Sequence, residues 1–249
     1  MSEPKVSFAI PCYNERDNLE ALLERLEAEA DRLGLDYEIV ITDDCSTDGS
    51  WELLCRLLET HPRLVIQRLN RNSGESAASF AAIRAARGEI IVTMDADLQN
   101  DPRDLEKFLA AIEHADCVCG TRKQTRKEGD SWIKHVISRA ANWVRSRVLD
   151  DPISDAGCTY RAFRRECLQN IPFFKGVHRF LPILIHMQGY RVVEVPVANR
   201  PRLGGKSKYG IFDRFDAIID MLAVRWMKRR MIRFSVAEQK RASAPLPSG

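Results

Sequence analysis

Glu89-Ile-Ile-Val-Thr-Met94 is an apolar, β-branched run that leads directly into Asp95-Ala96-Asp97-Leu98-Gln99 and then Asp101-Pro102. A run of this length and composition reads as a buried strand. Asp followed by Pro reads as a helix start, because Asp accepts from the free N–H groups of a first turn and Pro has no N–H to leave unbonded. The stretch is therefore strand, acidic loop, helix.

The same unit recurs toward the N-terminus. Val6-Ser-Phe-Ala-Ile10 is a short apolar run closed by Pro11, and Asp17 to Leu33 repeats Leu19, Leu22, Leu23, Leu26 and Ala30 at helical spacing. Glu38-Ile-Val-Ile-Thr42 ends in Asp43-Asp44, and Ser50 to Leu58 is helical again. Leu64-Val-Ile-Gln-Arg68 precedes an Asn/Ser/Gly loop and an alanine-rich helix from Ala77 to Ala86, and Cys117-Val-Cys-Gly120 is a fifth strand. Alternating strands and helices with short connections predict an α/β fold, a single mostly parallel sheet covered by helices on both faces. Ligands of such sheets bind at the carboxyl ends of the strands, where Tyr13-Asn14-Glu15, Asp43-Asp44 and Asp95-Ala96-Asp97 all fall.

Past Gly120 the alternation weakens. Trp132 to Val148 reads as helix, Thr159 to Arg164 and Tyr190 to Val197 as extended, and a basic glycine loop from Arg200 to Gly210 leads to a last helix. No internal repeat or linker interrupts this order. The expected organisation is one domain over 1–234, in two halves at 5–120 and 121–234, with a disordered tail at 235–249.

Bulk properties narrow the function. A chain of 249 residues with 45% hydrophobic content buries one sizeable core. A net charge of +3 is too small for a nucleic-acid protein. The seven cysteines form no Cys-x-x-Cys pair and read as reduced thiols. The polar start Met1-Ser2-Glu3-Pro4-Lys5 lacks the basic and apolar regions of a signal peptide, so a cytoplasmic protein is expected. A membrane span needs about 18 apolar residues, and the best stretch, Ile211 to Ile232, carries eight charged ones. Within it Phe212, Phe215, Ile219, Leu222 and Trp226 make one apolar stripe, followed by Lys228-Arg229-Arg230. The stripe suits core packing and suits equally a helix lying on an anionic membrane surface.

Asp-x-Asp after a buried strand suits a Mg²⁺ or Mn²⁺ ion that takes its remaining ligands from a diphosphate. Alone it is a weak signal, since about one chance match is expected in a chain this long at an Asp usage of roughly 5%. The absence of Gly-x-Gly-x-x-Gly opening a helix argues against a dinucleotide-dependent oxidoreductase.

In order along the chain, Pro11-x-Tyr13-Asn14-Glu15, Thr42-Asp43-Asp44-x-Ser46-x-Asp48-Gly49 and Asp95-Ala96-Asp97-Leu98-Gln99 resemble the family 2 inverting glycosyltransferases of GT-A fold. Gly120-Thr-Arg122, Ser154-Asp155 with Tyr160-Arg161, and Gly205-Lys-Ser-Lys208-Tyr make the chain most similar to the polyprenyl-phosphate transferases of the dolichol-phosphate mannose synthase type. The resemblance covers residue 5 to about 230. It implies that Pro11, Tyr13, Glu15, Thr42 and Asp44, with Asp95 and Ala96, surround the donor nucleotide. It implies that Asp95, Asp97 and Gln99 hold Mg²⁺ or Mn²⁺ and the diphosphate, and that Arg122, Arg202 and Lys208 bind phosphate. Asp97, Arg122 and, on the acceptor side, Asp155 are then the expected catalytic residues. Cys45 stands where relatives carry Gly or Asn, and Cys158-Thr-Tyr160 replaces their Gly-Phe-like pattern.

The expected reaction moves a hexosyl group from a GDP- or UDP-sugar to a polyprenyl phosphate, with the enzyme peripheral on the inner face of the membrane. Its membrane contact would be the last helix or a membrane partner subunit. A phosphate acceptor is already ionised near neutrality, so positioning and leaving-group stabilisation carry the rate. A GT-A enzyme acting on a glycan hydroxyl would need a general base, and a relative that binds nucleotide sugar without turnover would need neither. His178-Arg179-Phe180 could reach the acceptor region, although a His among apolar residues more often packs.

Overall fold

The computed structural model describes residues 4–122, 145, 147–198, 212–232 and 238, the stretch 212–217 by its backbone alone. Seven strands form one sheet: β1 Val6–Cys12, β2 Tyr37–Asp43, β3 Leu64–Arg68, β4 Ile90–Thr93, β5 Cys117–Thr121, β6 Arg161–Arg164 and β7 Val192–Pro196. Their order is β3-β2-β1-β4-β6-β5-β7. Every neighbouring pair is parallel except those of β6, which runs against both β4 and β5. The expected sheet is present, and its single reversed strand, β6, comes from the second half of the chain.

The helices are α1 Arg16–Arg32, α2 Ser50–Leu57, α3 Glu75–Ala85, α4 Leu105–Ile112, α5 Leu181–Met187 and α6 Phe212–Arg230. Strand residues alternate between two cores, as a period of two requires. Phe8 and Ile10 face the layer of α1, α2 and α4, whereas Ala9 faces the layer of α3 and α5. All of β2 is buried, which matches its unbroken apolar run and its place between two strands under two helical layers. On α1, Leu19, Leu22, Leu23 and Leu26 are fully buried, each stabilising the layer by about 2 kcal/mol.

Asp101 caps the turn before α4 as its sequence promised, its side chain accepting from the Arg103 N–H. The helix expected over Trp132 to Val148 lies mostly outside the described residues. The basic loop Arg200 to Gly210 lies wholly outside them, as does the tail 235–249 apart from residue 238.

β1, β2, β4 and β5 are mutually parallel, so Tyr13, Asp44, Asp95 and Arg122 all emerge at one edge of the sheet. The reversed strand β6 brings its own beginning, Gly157 and Thr159, to that same edge. Three of the loops there contain a non-glycine residue in left-handed conformation: Asn14 (φ 55°), Cys45 (φ 61°) and Leu98 (φ 62°). Asn tolerates that conformation, while Cys and Leu pay roughly 1 kcal/mol for it. Cys45 thus stands where the turn itself favours Gly or Asn.

Candidate active site

A cavity of about 960 Å³ occupies this edge. Of the nucleotide-side residues expected from sequence, Pro11, Tyr13, Glu15, Asp44, Asp95 and Ala96 line it. Thr42 does not: it is buried in β2, where its hydroxyl accepts from Gln67 Nε2 at 2.7 Å. Asp97, Gln99 and Arg122 also line the cavity, whereas Arg202 and Lys208 lie outside the described residues.

The nucleotide side is built from two stitched loops. Ser46 Oγ accepts the Asn14 N–H at 2.9 Å, and Asn14 Oδ1 accepts the Thr47 N–H at 2.8 Å. Asp43 is fully buried and ion-paired with Arg68 at 3.1 Å, so the first acid of the pair holds the turn. The second, Asp44, accepts the N–H groups of Ser73 and Gly74 at 2.7 and 2.8 Å. Those bonds tie the loop before α3 to the cavity floor, and Gly74 there has φ +87°, a conformation a side chain would strain.

The acidic triplet is oriented by neighbours. Thr159 Oγ1 donates to Asp95 Oδ2 at 2.7 Å, and Thr93 donates to the Thr159 carbonyl at 2.8 Å, so the segment leading into β6 orients Asp95. Asp97 Oδ1 accepts the Gln99 N–H at 3.1 Å. Burial, then the negative charges of Glu75 and Asp97, push the Asp95 carboxyl up to about 7, against the pull of Thr159 and Arg122. Carboxylates crowded in this way are relieved by a cation. Asp95, Asp97 and Gln99 offer only the hard oxygen donors that Mg²⁺ and Mn²⁺ prefer. Among the described residues no three acidic, His or Cys side chains converge on one point. A divalent ion would therefore complete its shell from the ligand's phosphates, and the residues present fit it.

Arg122 and Asp155, both singled out from sequence, meet each other. Arg122 Nε reaches Asp155 Oδ2 at 2.9 Å and NH2 reaches Oδ1 at 3.1 Å. Asp155 is buried beneath the guanidinium and does not line the cavity. Its turn is fastened by Glu194 of β7, whose Oε1 accepts the N–H groups of Ser154 and Asp155 at 2.8 and 3.2 Å. Gly157 lies against Arg122, where a Cβ would come 3.2 Å from NH2.

The far wall is the segment 175–179 and α6. Lys175, Gly176, His178 and Arg179 line the cavity, as do Ile219 and Asp220 of α6. His178 is both packed and placed at the site: Ser76 Oγ lies 2.7 Å from its Nδ1, and burial lowers its pKa to about 4. Glu75, Ser76 and Thr159 are site residues that the motifs did not disclose. The Asn72-Ser-Gly74 loop, which follows a strand at the same edge, was the available signal.

On α6 the apolar stripe faces outward where its side chains are described. Ile219 is 66% exposed, Leu222 56% and Trp226 63%, while Val224 is fully buried against the sheet layer. Lys228 is held by the Leu149 carbonyl at 2.6 Å and by Asp150 at 3.0 Å, so of the basic end Arg229 and Arg230 are the exposed members. None of the described helices is long and apolar enough to cross a membrane.

A mostly parallel sheet with an oriented Asp-x-Asp pair and a forked arginine at its carboxyl edge defines the GT-A class of nucleotide-sugar transferases. The model of the family "Glycosyl transferase family 2" matches residues 7–171, and the chain belongs to that family of glycosyltransferases. A protein of Edwardsiella ictaluri named undecaprenyl-phosphate 4-deoxy-4-formamido-L-arabinose transferase is 37% identical over 219 residues, 87% of this chain and 66% of its own. Its namesake in Aeromonas hydrophila is 35% identical, with the same coverage. The chain thus spans about two thirds of the length of these relatives. Among solved structures, S. aureus TarS 1-349 in complex with UDP-GlcNAc aligns with TM-score 0.64 at 20% identity, over 90% of this chain and 66% of that one. A mannosyltransferase from Pyrobaculum calidifontis in complex with GDP-Man and Mn²⁺ aligns with TM-score 0.60 at 24% identity, over 92% and 65%. These two share the fold.

Proposed function

We propose that this glycosyltransferase moves a hexosyl group from a UDP- or GDP-sugar to the phosphate of a polyprenyl phosphate at a membrane surface. The observation that carries this reading is the continuity of the cavity with the apolar face of α6. Ile219 lines the cavity and also belongs to the exposed face with Leu222 and Trp226. A ligand with an anionic head and an apolar tail fits such a surface. Lys175 and Arg179 stand on the wall nearest α6, suited to the acceptor phosphate, and Arg122 stands beside the acidic pair, suited to the donor. The names of the curated relatives point to the same acceptor class.

The chemistry needs no base. The attacking phosphate oxygen is already ionised, and the electron pair of the broken anomeric C–O bond leaves with the nucleoside diphosphate, so no proton changes hands. A single in-line displacement inverts the anomeric carbon. A divalent ion held by Asp95, Asp97 and Gln99 supplies charge neutralisation for the leaving diphosphate. Asp155, with both oxygens engaged by Arg122, serves as the support of that arginine rather than as a proton acceptor. By resemblance to the family's basic motif, Arg202 and Lys208 would meet the donor diphosphate or the lipid phosphate. Membrane contact is assigned to the outward face of α6 and the exposed Arg229 and Arg230, on the inner leaflet where anionic lipid and nucleotide sugar meet.

The test is transfer by purified protein from a panel of UDP- and GDP-sugars to a short polyprenyl phosphate, with the unphosphorylated polyprenol as control. Lipid-linked sugar made from the phosphate alone, and lost with EDTA, is expected. Equal transfer to the alcohol would refute the phosphate acceptor.

A further inference from the structure

Lys175 and Arg179, set against the acceptor phosphate in the reading above, belong to a short turn outside the sheet, entered through Gly176 at φ +89°. The second half of the chain holds this turn from behind. The His178 carbonyl accepts from Arg161 of β6, and the Arg179 carbonyl accepts from Arg145 NH2 at 2.8 Å. Asp220 of α6 closes on Gly176 so tightly that a Cβ there would come 2.8 Å from Oδ2.

The first turn of α3 holds it from the front. Ser76 Oγ accepts the Gly176 N–H at 2.8 Å and lies 2.7 Å from His178 Nδ1, while Glu75 Oε1 lies 3.5 Å from His178 Nε2. A hydroxyl has one donor and two acceptor sites, so Ser76 serves the backbone and the imidazole together. Just before Glu75, the N–H groups of Ser73 and Gly74 bond to Asp44 on the nucleotide side. Asp44, the loop it pins, Ser76 and the turn 175–179 therefore make one connected chain across the cavity, from the donor wall to the acceptor wall.

In-line displacement requires the attacking oxygen to be aligned with the anomeric carbon, and a misplacement of about 1 Å can slow such a step about a hundredfold. Acceptor and donor are both phosphates and repel, so the cations that hold each must be fixed relative to one another. We infer that Ser76 is a positioning residue that sets the acceptor wall, Lys175 and Arg179, in register with the donor site. It acts through the turn and not on the reacting atoms. This rests on the proposed reading of that wall as the site of the acceptor phosphate.

The experiment measures transfer by the full chain, with Mn²⁺ and the preferred nucleotide sugar, while a short polyprenyl phosphate is varied. Calorimetry with UDP and GDP accompanies it. Ser76→Ala should lower kcat/KM for the polyprenyl phosphate about tenfold and leave the Kd of the nucleoside diphosphate within about twofold. Ser76→Thr, which keeps the hydroxyl, should recover most of the loss. In a Lys175→Ala background, Ser76→Ala should cost less than about threefold, because an anchor that it positions is already gone. General damage to the fold would instead carry its full loss into the double variant. Unchanged kcat/KM for the acceptor in Ser76→Ala, equal weakening of nucleotide and acceptor, or fully additive losses would each overturn the role of Ser76 and leave the proposed function standing. A wild-type protein that transfers sugar to no polyprenyl phosphate would overturn both.

Discussion

Arg122 grips Asp155 through a two-pronged contact, Nε to Oδ2 at 2.9 Å and NH2 to Oδ1 at 3.1 Å, and its own backbone N–H adds a third bond to Oδ2 at 3.1 Å. The guanidinium faces the cavity while the carboxylate stays buried behind it. Breaking a buried pair of this kind costs about 3 kcal/mol, because the remaining charge loses its partner. Asp155→Ala should therefore lower the free energy of unfolding by about that amount in a denaturant titration. Its kcat should also fall at least about tenfold, since a loosened Arg122 no longer meets the diphosphate in one geometry. Asp155→Glu, with the charge kept but the fork displaced, should recover stability more than rate.

Asp97 is buried in the cavity wall and bonded to the Gln99 N–H, so removing its carboxylate leaves the strand and its cores untouched. Asp97→Ala is expected to keep its fold and lose metal-dependent turnover. Mn²⁺ with nucleoside diphosphate should raise the Tm of the wild-type protein, because both bind the folded state alone, and should not raise that of the variant. A variant with full activity would show the metal assignment to be wrong.

His178 titrates at about 4 in the folded protein, held down first by burial, against an ordinary value of 6.5. A depressed folded pKa means the unfolded chain binds the proton first as pH falls. The stability contribution is therefore intact above about 6.5 and is lost progressively as pH drops toward 4, to a total of about 3 kcal/mol. Asp95, raised to about 7, acts with the opposite sign over the same range, so the His178 contribution is read as a difference: between pH 7 and 4, unfolding titrations should show the wild-type protein losing stability relative to the His178→Gln variant as pH falls.

The outward face of α6 makes its own prediction. Leu222→Glu and Trp226→Glu change exposed side chains, so each should leave Tm nearly unchanged while reducing co-flotation with vesicles rich in phosphatidylglycerol. Val224→Asp buries an unpaired charge and should unfold the region instead. Undiminished flotation of the double Glu variant would assign membrane contact elsewhere.

Much of this was legible in the sequence. β1, β2, β4 and β5 read directly from their apolar runs, because burial on both faces leaves no polar alternation to confuse a short strand, while the half-exposed edge strand β3 read from Leu64-Val-Ile66 alone. Pro11, Tyr13, Glu15, Asp44, Asp95, Ala96, Asp97, Gln99 and Arg122 read as one site because parallel strands deliver their carboxyl ends to one edge. Periodicity identified the apolar stripe of α6 but not the side it faces, since a helix on a core and a helix on a membrane share one spacing. The Arg122–Asp155 fork joins residues 33 positions apart through the reversal of β6, and no local pattern encodes such a pairing. Glu75 and Ser76 were hidden for a related reason: they meet the cavity beside His178, about a hundred residues away, which itself looked like packing.

The central claim is that the sugar is placed directly on a lipid phosphate oxygen, and ³¹P NMR of the running reaction tests it most directly. With a short polyprenyl phosphate and the preferred nucleotide sugar, the phosphomonoester resonance should be replaced one-for-one by a phosphodiester as nucleoside diphosphate appears. Coupling of that phosphorus to an anomeric proton of inverted configuration completes the prediction. A phosphomonoester signal that persists while the donor is consumed would contradict the account.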